Sequence, residues 1–419
     1  LTRQAYTLVL FTVLRAVSPE QNHYIYREME HMVRTLILSG LSLLVVVAII
    51  ASPGGAFQAS LQGLSVWWNI VFPGLLPFLT LLELMLAFGA VHGIGQLLHP
   101  LMRRAFKLPG EAGVAVAIGW SGGYPAGAEA AGALRKRNAV SRSEGQRLLA
   151  LAHMPNPLFV LLVVGAGFLH RPGLGAAILI SIWTAGLFVG LAHGLFVPER
   201  NESDREEAEI GVLRRAARAM KEARRLDGRT FGKALGDAVT ASVAKLMAVG
   251  GFMILGSVAV QLATPLFMGM LPPALLPAVI ESHIGAYATS TAPYSGMTWN
   301  AAAVAAALSF GGITALLQAG GALGTVDLSI WRLALNRLIQ AVLAFGITLI
   351  IADPASRLLA PLLTSAQPVL QQGDRLPSAI GYRISQLPAL WGYAPIMVAA
   401  FAAAIGLLAL LSYGLPRKN

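Results

Sequence analysis

Cysteine is absent from the 419 residues, which excludes disulfide staples and thiolate metal sites. Charge is scarce too: Asp, Glu, Lys and Arg make up 12% of the chain, against 56% hydrophobic residues. With a mean hydropathy of +0.65, this composition predicts helices that cross a bilayer. Acids are the rarer sign, 20 against 31 Lys and Arg, for a net charge of +11. In a soluble protein that balance suggests nucleic acid. Here the basic residues gather at the ends of apolar runs, so topology and anionic lipid explain them, and no nucleic-acid partner is expected. Histidines are scattered and no HExxH occurs, so neither a metal site nor a cofactor is expected. What the chain has in quantity is glycine (44) and proline (23), as broken membrane helices require.

The stretch Val116–Arg137, VAIGWSGGYPAGAEAAGALRKR, is apolar enough to enter a bilayer. Its middle holds Gly119, Ser121, Gly122, Gly123, Tyr124, Pro125 and Gly127. Glycine costs about 1 kcal/mol and proline about 3 kcal/mol inside a helix. The spacing predicts two half-helices meeting at a Ser-Gly-Gly-Tyr-Pro tip. Arg103, Arg104 and Lys107 precede the stretch, and Arg135, Lys136, Arg137, Arg142 and Arg147 follow it. A segment that enters and returns keeps both clusters on the cytoplasmic side. Such broken backbone is tolerated where protein or a watery cavity surrounds it, and transporters hold ions at such helix ends. The alternative is a glycine-rich helix built for close packing.

Spans are expected over Thr35–Ser52, Asn69–His92, Leu174–Val197, Ala238–Leu262, Leu271–Thr291, Leu328–Ile351 and Trp391–Tyr413, with interfacial segments at Phe57–Trp68 and Ile94–Phe106. Ser141–His153 reads as a polar helix running into Met154-Pro155-Asn156-Pro157, where two prolines break the ladder, and Leu158–Leu169 continues as apolar. The fold class is therefore all-α and polytopic, with about eight spanning helices plus interfacial ones. Residues 1–31 read as an N-terminal extension before an ordinary start at Met32, and so as a misassigned initiation. The first membrane repeat covers 32–197. A charged cytoplasmic linker covers 198–237, where IGVLRRAARAMKEARRL predicts a basic surface helix. The second repeat and the last span cover 238–419, and Asp353–Leu387 is expected as a polar loop.

The halves resemble each other in order. Leu76-Pro77 leads to Glu83, and Leu276-Pro277 leads to Glu281. AIGWSGGYPAGAEAAGAL from Ala117 aligns with AALSFGGITALLQAGGAL from Ala306, and RLLALAHMPNPLF from Arg147 with RLALNRLIQAVLA from Arg332. Weak similarity of this kind marks a transporter repeat, and the charge flanks favour an inverted one. Two re-entrant hairpins are expected, with tips near Ser121–Pro125 and Phe310–Ile313 facing each other.

Glu83 and Glu281 are the acids inside predicted spans. Each reads as a proton or ion relay or as a helix-to-helix clamp. Lys245 reads as a snorkelling residue near its helix start. His92, His153, His193 and His283 read as interfacial or structural. Arg337 is either a fork for a carboxylate or a partner for Glu281 or Glu83. Gly119-Trp120-Ser121-Gly122-Gly123 also fits G-x-S-x-G, the pattern of a serine hydrolase, which needs a histidine beside Ser121; His193 is the remote candidate. A non-transporting scaffold is a third reading, and an enzyme is not expected.

WWNIVFPGLLPFL (Trp67–Leu79), Glu83, LLHPLMRRAFKLPG (Leu97–Gly110), SGGYPAGA (Ser121–Ala128) and NPLF (Asn156–Phe159) resemble the YlbJ family of sporulation integral membrane proteins, within the nucleoside-recognition gate superfamily. The resemblance runs from about Met32 to the end, and departs in the 31-residue extension and in Met154-Pro155 before the NP pair. It implies a multi-pass transporter that carries dipicolinate across the outer forespore membrane by alternating access. Nucleosides or other small anions are the alternative cargo. The superfamily's likeness to concentrative nucleoside transporters implies two hairpins around the substrate. For a dianion, backbone N–H groups at Gly122, Gly123, Gly311 and Gly312 suit the carboxylates. Ser121, Tyr124, Asn156, Thr314, Gln318 and Arg337 supply the polar side chains. The expected partners are this small anion and membrane lipid, and self-association stays open.

Overall fold

The computed structural model describes residues 19–195 and 211–363, all helices and short connections with no strand among them. The expected last span Trp391–Tyr413 lies outside the described residues, as do 1–18 and 196–210. The helices are α1 (Pro19–Ala51), α2 (Pro53–Val66), α3 (Phe72–Ala87), α4 (Ala90–Arg104), α5 (Ala112–Gly122), α6 (Tyr124–Lys136), α7 (Arg142–Ala152), α8 (Phe159–Phe168) and α9 (Pro172–Leu195). After the undescribed stretch come α10 (Val212–Asp227), α11 (Phe231–Phe267), α12 (Leu275–Ile280), α13 (Ser282–Thr291), α14 (Met297–Phe310), α15 (Gly312–Leu323) and α16 (Ile330–Leu363).

Among the described residues five helical runs are long and apolar enough to cross a membrane: Pro53–Ala87, Pro172–Leu195, Phe231–Phe267, Met297–Leu323 and Ile330–Leu359. Thr35–Ala51, Ala112–Gly122 and Phe159–Phe168 are shorter apolar helices. Leu235, Val239, Met247 and Leu255 on α11, and Trp331, Leu335, Leu338 and Val342 on α16, are exposed. A water-soluble surface rarely shows such stripes, whereas lipid accepts them. The protein is an integral membrane protein of the all-α class.

Several expected boundaries move. Phe57–Trp68 is not a separate interfacial segment, because α2 runs through a wide π-helical turn at Trp67–Val71 into α3. Trp67 lies inside and donates its indole N–H to the Leu246 carbonyl, 2.9 Å away. The expected span Leu271–Thr291 is two short helices, broken where Glu281 is extended. Asp353 belongs to α16, which continues to Leu363, so the polar loop does not begin there.

The buried centre is built on α9, α14 and α16, which pack on one another. α14 allows this because Ala301, Ala302, Ala305 and Ala307 line its buried face, and small residues let membrane helices approach closely. Around this centre the chain folds back twice. α5 and α6 pack against each other across Gly123, whose φ of 93° a side chain would resist. At Gly119 an added Cβ would lie 2.0 Å from the Ala152 carbonyl oxygen, so only hydrogen fits between this fold-back and the end of α7. α12 and α13 fold back at Glu281. There an added Cβ on Gly285 would meet the Ala278 Cα at 2.4 Å. The expected tip at Phe310–Ile313 is a break at Gly311, yet α14 and α15 do not fold back on each other. α6 runs beside α15, and α13 beside α14, so the two fold-backs approach Gly311 from opposite ends.

Candidate functional site

Three irregular stretches meet at the buried centre: the tip at Gly123, the break after His153 and the break at Gly311. Asn156 sits in the second. Its Oδ1 accepts from the N–H groups of Leu158 (2.9 Å) and Phe159 (3.1 Å), and its Nδ2 donates to the Ser121 carbonyl at 3.1 Å. One amide thus starts α8 and holds the first tip. The tip reaches the third break through Tyr124, whose hydroxyl donates to the Leu308 carbonyl. An added Cβ on Gly311 would lie 3.3 Å from the Tyr124 ring. Tyr124 thus brings the first tip against the Gly311 segment, which is a broken helix and not the second hairpin expected from the sequence.

Arg337 of α16 lies between these stretches with no exposed surface. One guanidinium nitrogen donates to the His153 carbonyl at 2.5 Å and to Gln340 Oε1 at 2.5 Å, and the other reaches the Leu308 carbonyl at 3.4 Å. Gln340 Nε2 donates to the Ile182 carbonyl at 3.1 Å. The guanidinium carbon lies 5.8 Å from the centre of the Tyr124 ring, and the His153 ring lies 5.1 Å from Tyr124 on another side. Arg337 pairs with neither Glu83 nor Glu281. It terminates two broken helices instead, giving the orphan carbonyls at their ends a cationic donor.

Several buried polar atoms here find no hydrogen-bond partner among the described residues: both ring nitrogens of His153, Ser309 Oγ, Thr314 Oγ1 and Arg337 Nε. An unpaired buried polar group costs about 1–3 kcal/mol. A concentration of them, donors and acceptors together, suits water or a polar guest. Thr314 was expected here. Gln318 follows one turn later on α15 and is half-buried. Sequence reading treated His153 as structural and left Gln340 out of the site. The available signals were the position of His153 directly before the proline break and the spacing of three from Arg337 to Gln340.

Ser121 contributes its carbonyl, while its hydroxyl donates to the Ala117 carbonyl at 2.7 Å. Among the described residues it makes no hydrogen bond to a histidine, the partner a serine nucleophile needs. Gly312, with φ 75°, packs against Ile280 and Glu281, where an added Cβ would meet the Ile280 carbonyl oxygen at 3.0 Å.

The two acids differ in their surroundings. Glu83 forms an ion pair with Lys245. Lys245 also lines a cleft of about 280 Å³ between α3 and the first fold-back, with Leu82, Gly122, Ala126 and Glu129. Glu281, 1% exposed, pairs with His283, whose Nδ1 lies 2.7 Å from its Oε1. Neither acid touches Arg337, and Glu83 stands apart from the Gly123–Asn156–Gly311 junction.

On the cytoplasmic side expected from charge, Arg135 at the end of α6 grips Asp327 with two bonds of 2.8 and 3.0 Å. This hydrogen-bonded guanidinium holds the Asp327 carboxyl below the usual carboxylate range. Gln146 and Ser329 exchange a pair of bonds of 3.0 and 2.8 Å nearby.

Comparison with known proteins gives two findings. A family model described as nucleoside recognition, Gate, matches residues 69–172. That range contains the first tip, α7, the Asn156 break and α8. The sporulation integral membrane protein YlbJ of Bacillus subtilis (strain 168) is 34% identical over 342 residues, which cover 77% of this chain and 84% of that protein. No solved structure matches.

Proposed function

The chain belongs to the family of the sporulation integral membrane protein YlbJ, and on that premise we propose that it carries dipicolinate, a small aromatic dicarboxylate, across the outer forespore membrane. The observation that carries this reading is the junction at Arg337. A fully buried guanidinium and the unpaired polar atoms of His153, Ser309 and Thr314 gather where one fold-back tip and two helix breaks meet. Charge inside a membrane protein is expensive and marks a pathway. A dianion supplies a counter-charge for Arg337, which has no acidic partner among the described residues. The His153 and Tyr124 rings give a flat aromatic acid a face to rest on.

Alternating access follows from the two fold-backs, which approach the junction from opposite ends as an inverted repeat would. In this reading α5/α6, the Asn156 break and α9 correspond to α12/α13, the Gly311 break and α16. The pairing differs from the one the sequence suggests, because the second fold-back lies at Glu281. Both fold-backs are re-entrant, entering the membrane and returning. A nucleoside or another small anion is the second reading, favoured by the nucleoside-recognition family model.

The test is uptake of labelled dipicolinate, nucleosides and other dicarboxylates by liposomes carrying the purified protein. Saturable dipicolinate uptake, with weak competition by nucleosides, is the expected outcome. Uptake of nucleoside but not of dipicolinate would keep the site and replace the cargo.

A further inference from the structure

The two intramembrane acids are not equivalent. Glu83 faces the ammonium of Lys245. Its pair with Lys245 is half open to the cleft, with side chains 19% and 45% exposed. Glu281 has a histidine for a partner, a ring that can take up and release a proton.

The hydrogen bonds around Glu281 fix the tautomer of that partner. Oε2 accepts the Ile284 N–H at 2.7 Å, and Oε1 accepts the Ser282 hydroxyl at 3.2 Å. A carboxylate holding these donors is an acceptor toward His283, so Nδ1 carries the imidazole proton at 2.7 Å from Oε1. The next proton must enter at Nε2, which makes no hydrogen bond among the described residues. The His283 side chain is 15% exposed against 1% for Glu281, so a proton reaches the ring before it reaches the acid.

Among the described residues few other titratable groups come near the pair. α14, α15 and α8, which pack on α12 and α13, contain none. α11 faces Glu281 through Gly256. Its titratable residues are Lys233, Asp237 and Lys245, and even Lys245 lies about 16 Å away along the helix at 1.5 Å per residue. Tyr287 on α13 turns its ring to Phe168, 5.2 Å away. Tyr124 is within electrostatic reach of Glu281, and beyond it lies Arg337. The pair sits at the second fold-back tip, touching both breaks. The His283 ring meets Phe159 edge-on at 4.5 Å, and the Glu281 Cα lies 3.1 Å from the position a Cβ on Gly312 would take.

We propose that Glu281 and His283 are the proton-coupling site of this protein, with Nε2 of His283 as the atom that takes the proton. This rests on the transport reading above. With His283 neutral the pair carries one negative charge, and with His283 protonated it is net neutral. A neutral tip crosses a low-dielectric core more easily than a charged one. Proton binding thus favours the movement that carries the anion.

Two measurements test this independently. Histidine-labelled protein in detergent is titrated by NMR, and the His283 signal is assigned by its loss in His283→Gln. The signal should respond to pH between about pH 5 and 8, and Glu281→Gln, which lacks the carboxylate charge, should alter that response. A His283 signal constant over that range overturns the proposal. In liposomes, an inward proton gradient should raise dipicolinate accumulation in the wild type, by up to about tenfold per pH unit for one proton. His283→Gln should still exchange internal for external dipicolinate but ignore the gradient. A wild-type gradient response in that variant overturns the proposal. If it exchanges nothing, His283→Asn, whose amide can replace the Nδ1 donor, takes its place; loss of exchange in both makes His283 structural and overturns it too. Titration of His283 without any dipicolinate movement keeps the proton site and removes the cargo reading.

Discussion

The carbonyl oxygen of His153 lies 2.5 Å from a guanidinium nitrogen of Arg337, so the helix that stops before Met154 is capped by a charge from a helix far along the chain. The same guanidinium reaches the Leu308 carbonyl. The shape of both breaks therefore depends on one side chain, the one proposed above to meet the anion.

Arg337→Met should abolish dipicolinate binding and cost at least about 2 kcal/mol of stability, the scale of a hydrogen bond to a charged donor. Arg337→Lys should restore the charge but not the planar fork. We expect it to recover part of the binding and little of the stability. Isothermal titration and thermal unfolding of the purified variants separate the two. Wild-type affinity in Arg337→Lys would show that the fork is not needed.

Asn156 spends both ends of its amide on the protein. Asn156→Ala should lower stability by about 1–2 kcal/mol, as loss of a helix-capping side chain does, and weaken binding through movement of the tip. Asn156→Asp keeps both acceptor bonds and should lose less stability than Ala. Equal losses in the two variants would argue against the capping role.

Glu83 and Lys245 should behave as a pair. Lys245→Met leaves an uncompensated acid beside an apolar cleft, whereas Glu83→Gln combined with Lys245→Met removes both charges. The double variant should transport better than Lys245→Met alone, with a coupling of about 1 kcal/mol or less because Lys245 is half exposed. Additive losses in a double-mutant cycle would contradict this.

The clamp at Asp327 predicts an acid-sensitive contribution. Its folded-state ionisation lies below the unfolded value because Arg135 favours the charged form. That stabilisation is complete above the unfolded value, near pH 3.9, and is lost as pH falls through the folded one. The melting temperature of Asp327→Asn should trail the wild type at pH 6, and the gap should close in strongly acidic buffer. A gap independent of pH would sink the assignment.

Gly123→Ala should be destabilising by about 1–3 kcal/mol, since its φ is strained for a side chain. Gly119→Ala should be worse in function, because the added methyl strikes the Ala152 carbonyl. Thermal unfolding and uptake measured on both variants test the order.

Much of this architecture is written locally. Glycine and proline clusters announce the breaks at Gly123, Asn156 and Gly311, and Ser141 with Glu144 forms the capping box at the start of α7. What pairs across the molecule is not local. Glu281 reads as an acid in a kinked span because Leu-Leu-Pro-Ala-Val-Ile-Glu is apolar up to its end. That the chain turns there depends on Gly285 meeting Ala278, which apolar periodicity does not encode. Arg337 reads as a substrate fork or an acid's partner, and its carbonyl partners lie 184 and 29 residues away. Lys245 finds Glu83 at a separation of 162 residues. Such contacts follow from helix arrangement and leave no mark in spacing.

The arm α6 is fastened at both ends to the later part of the chain. At its tip Tyr124 bonds to the Leu308 carbonyl, and at its base Arg135 grips Asp327. Two such anchors, one at each end of a helix of 13 residues, leave it little freedom to slide or tilt against α15. The slack lies on its other side, in the cleft where Gly122 and Ala126 face Leu82. On the transport reading proposed above, cysteine pairs placed across Gly132 and Leu323 should therefore cross-link without stopping uptake, while a pair across Leu82 and Ala126 should stop it. The chain's own lack of cysteine makes that comparison free of background.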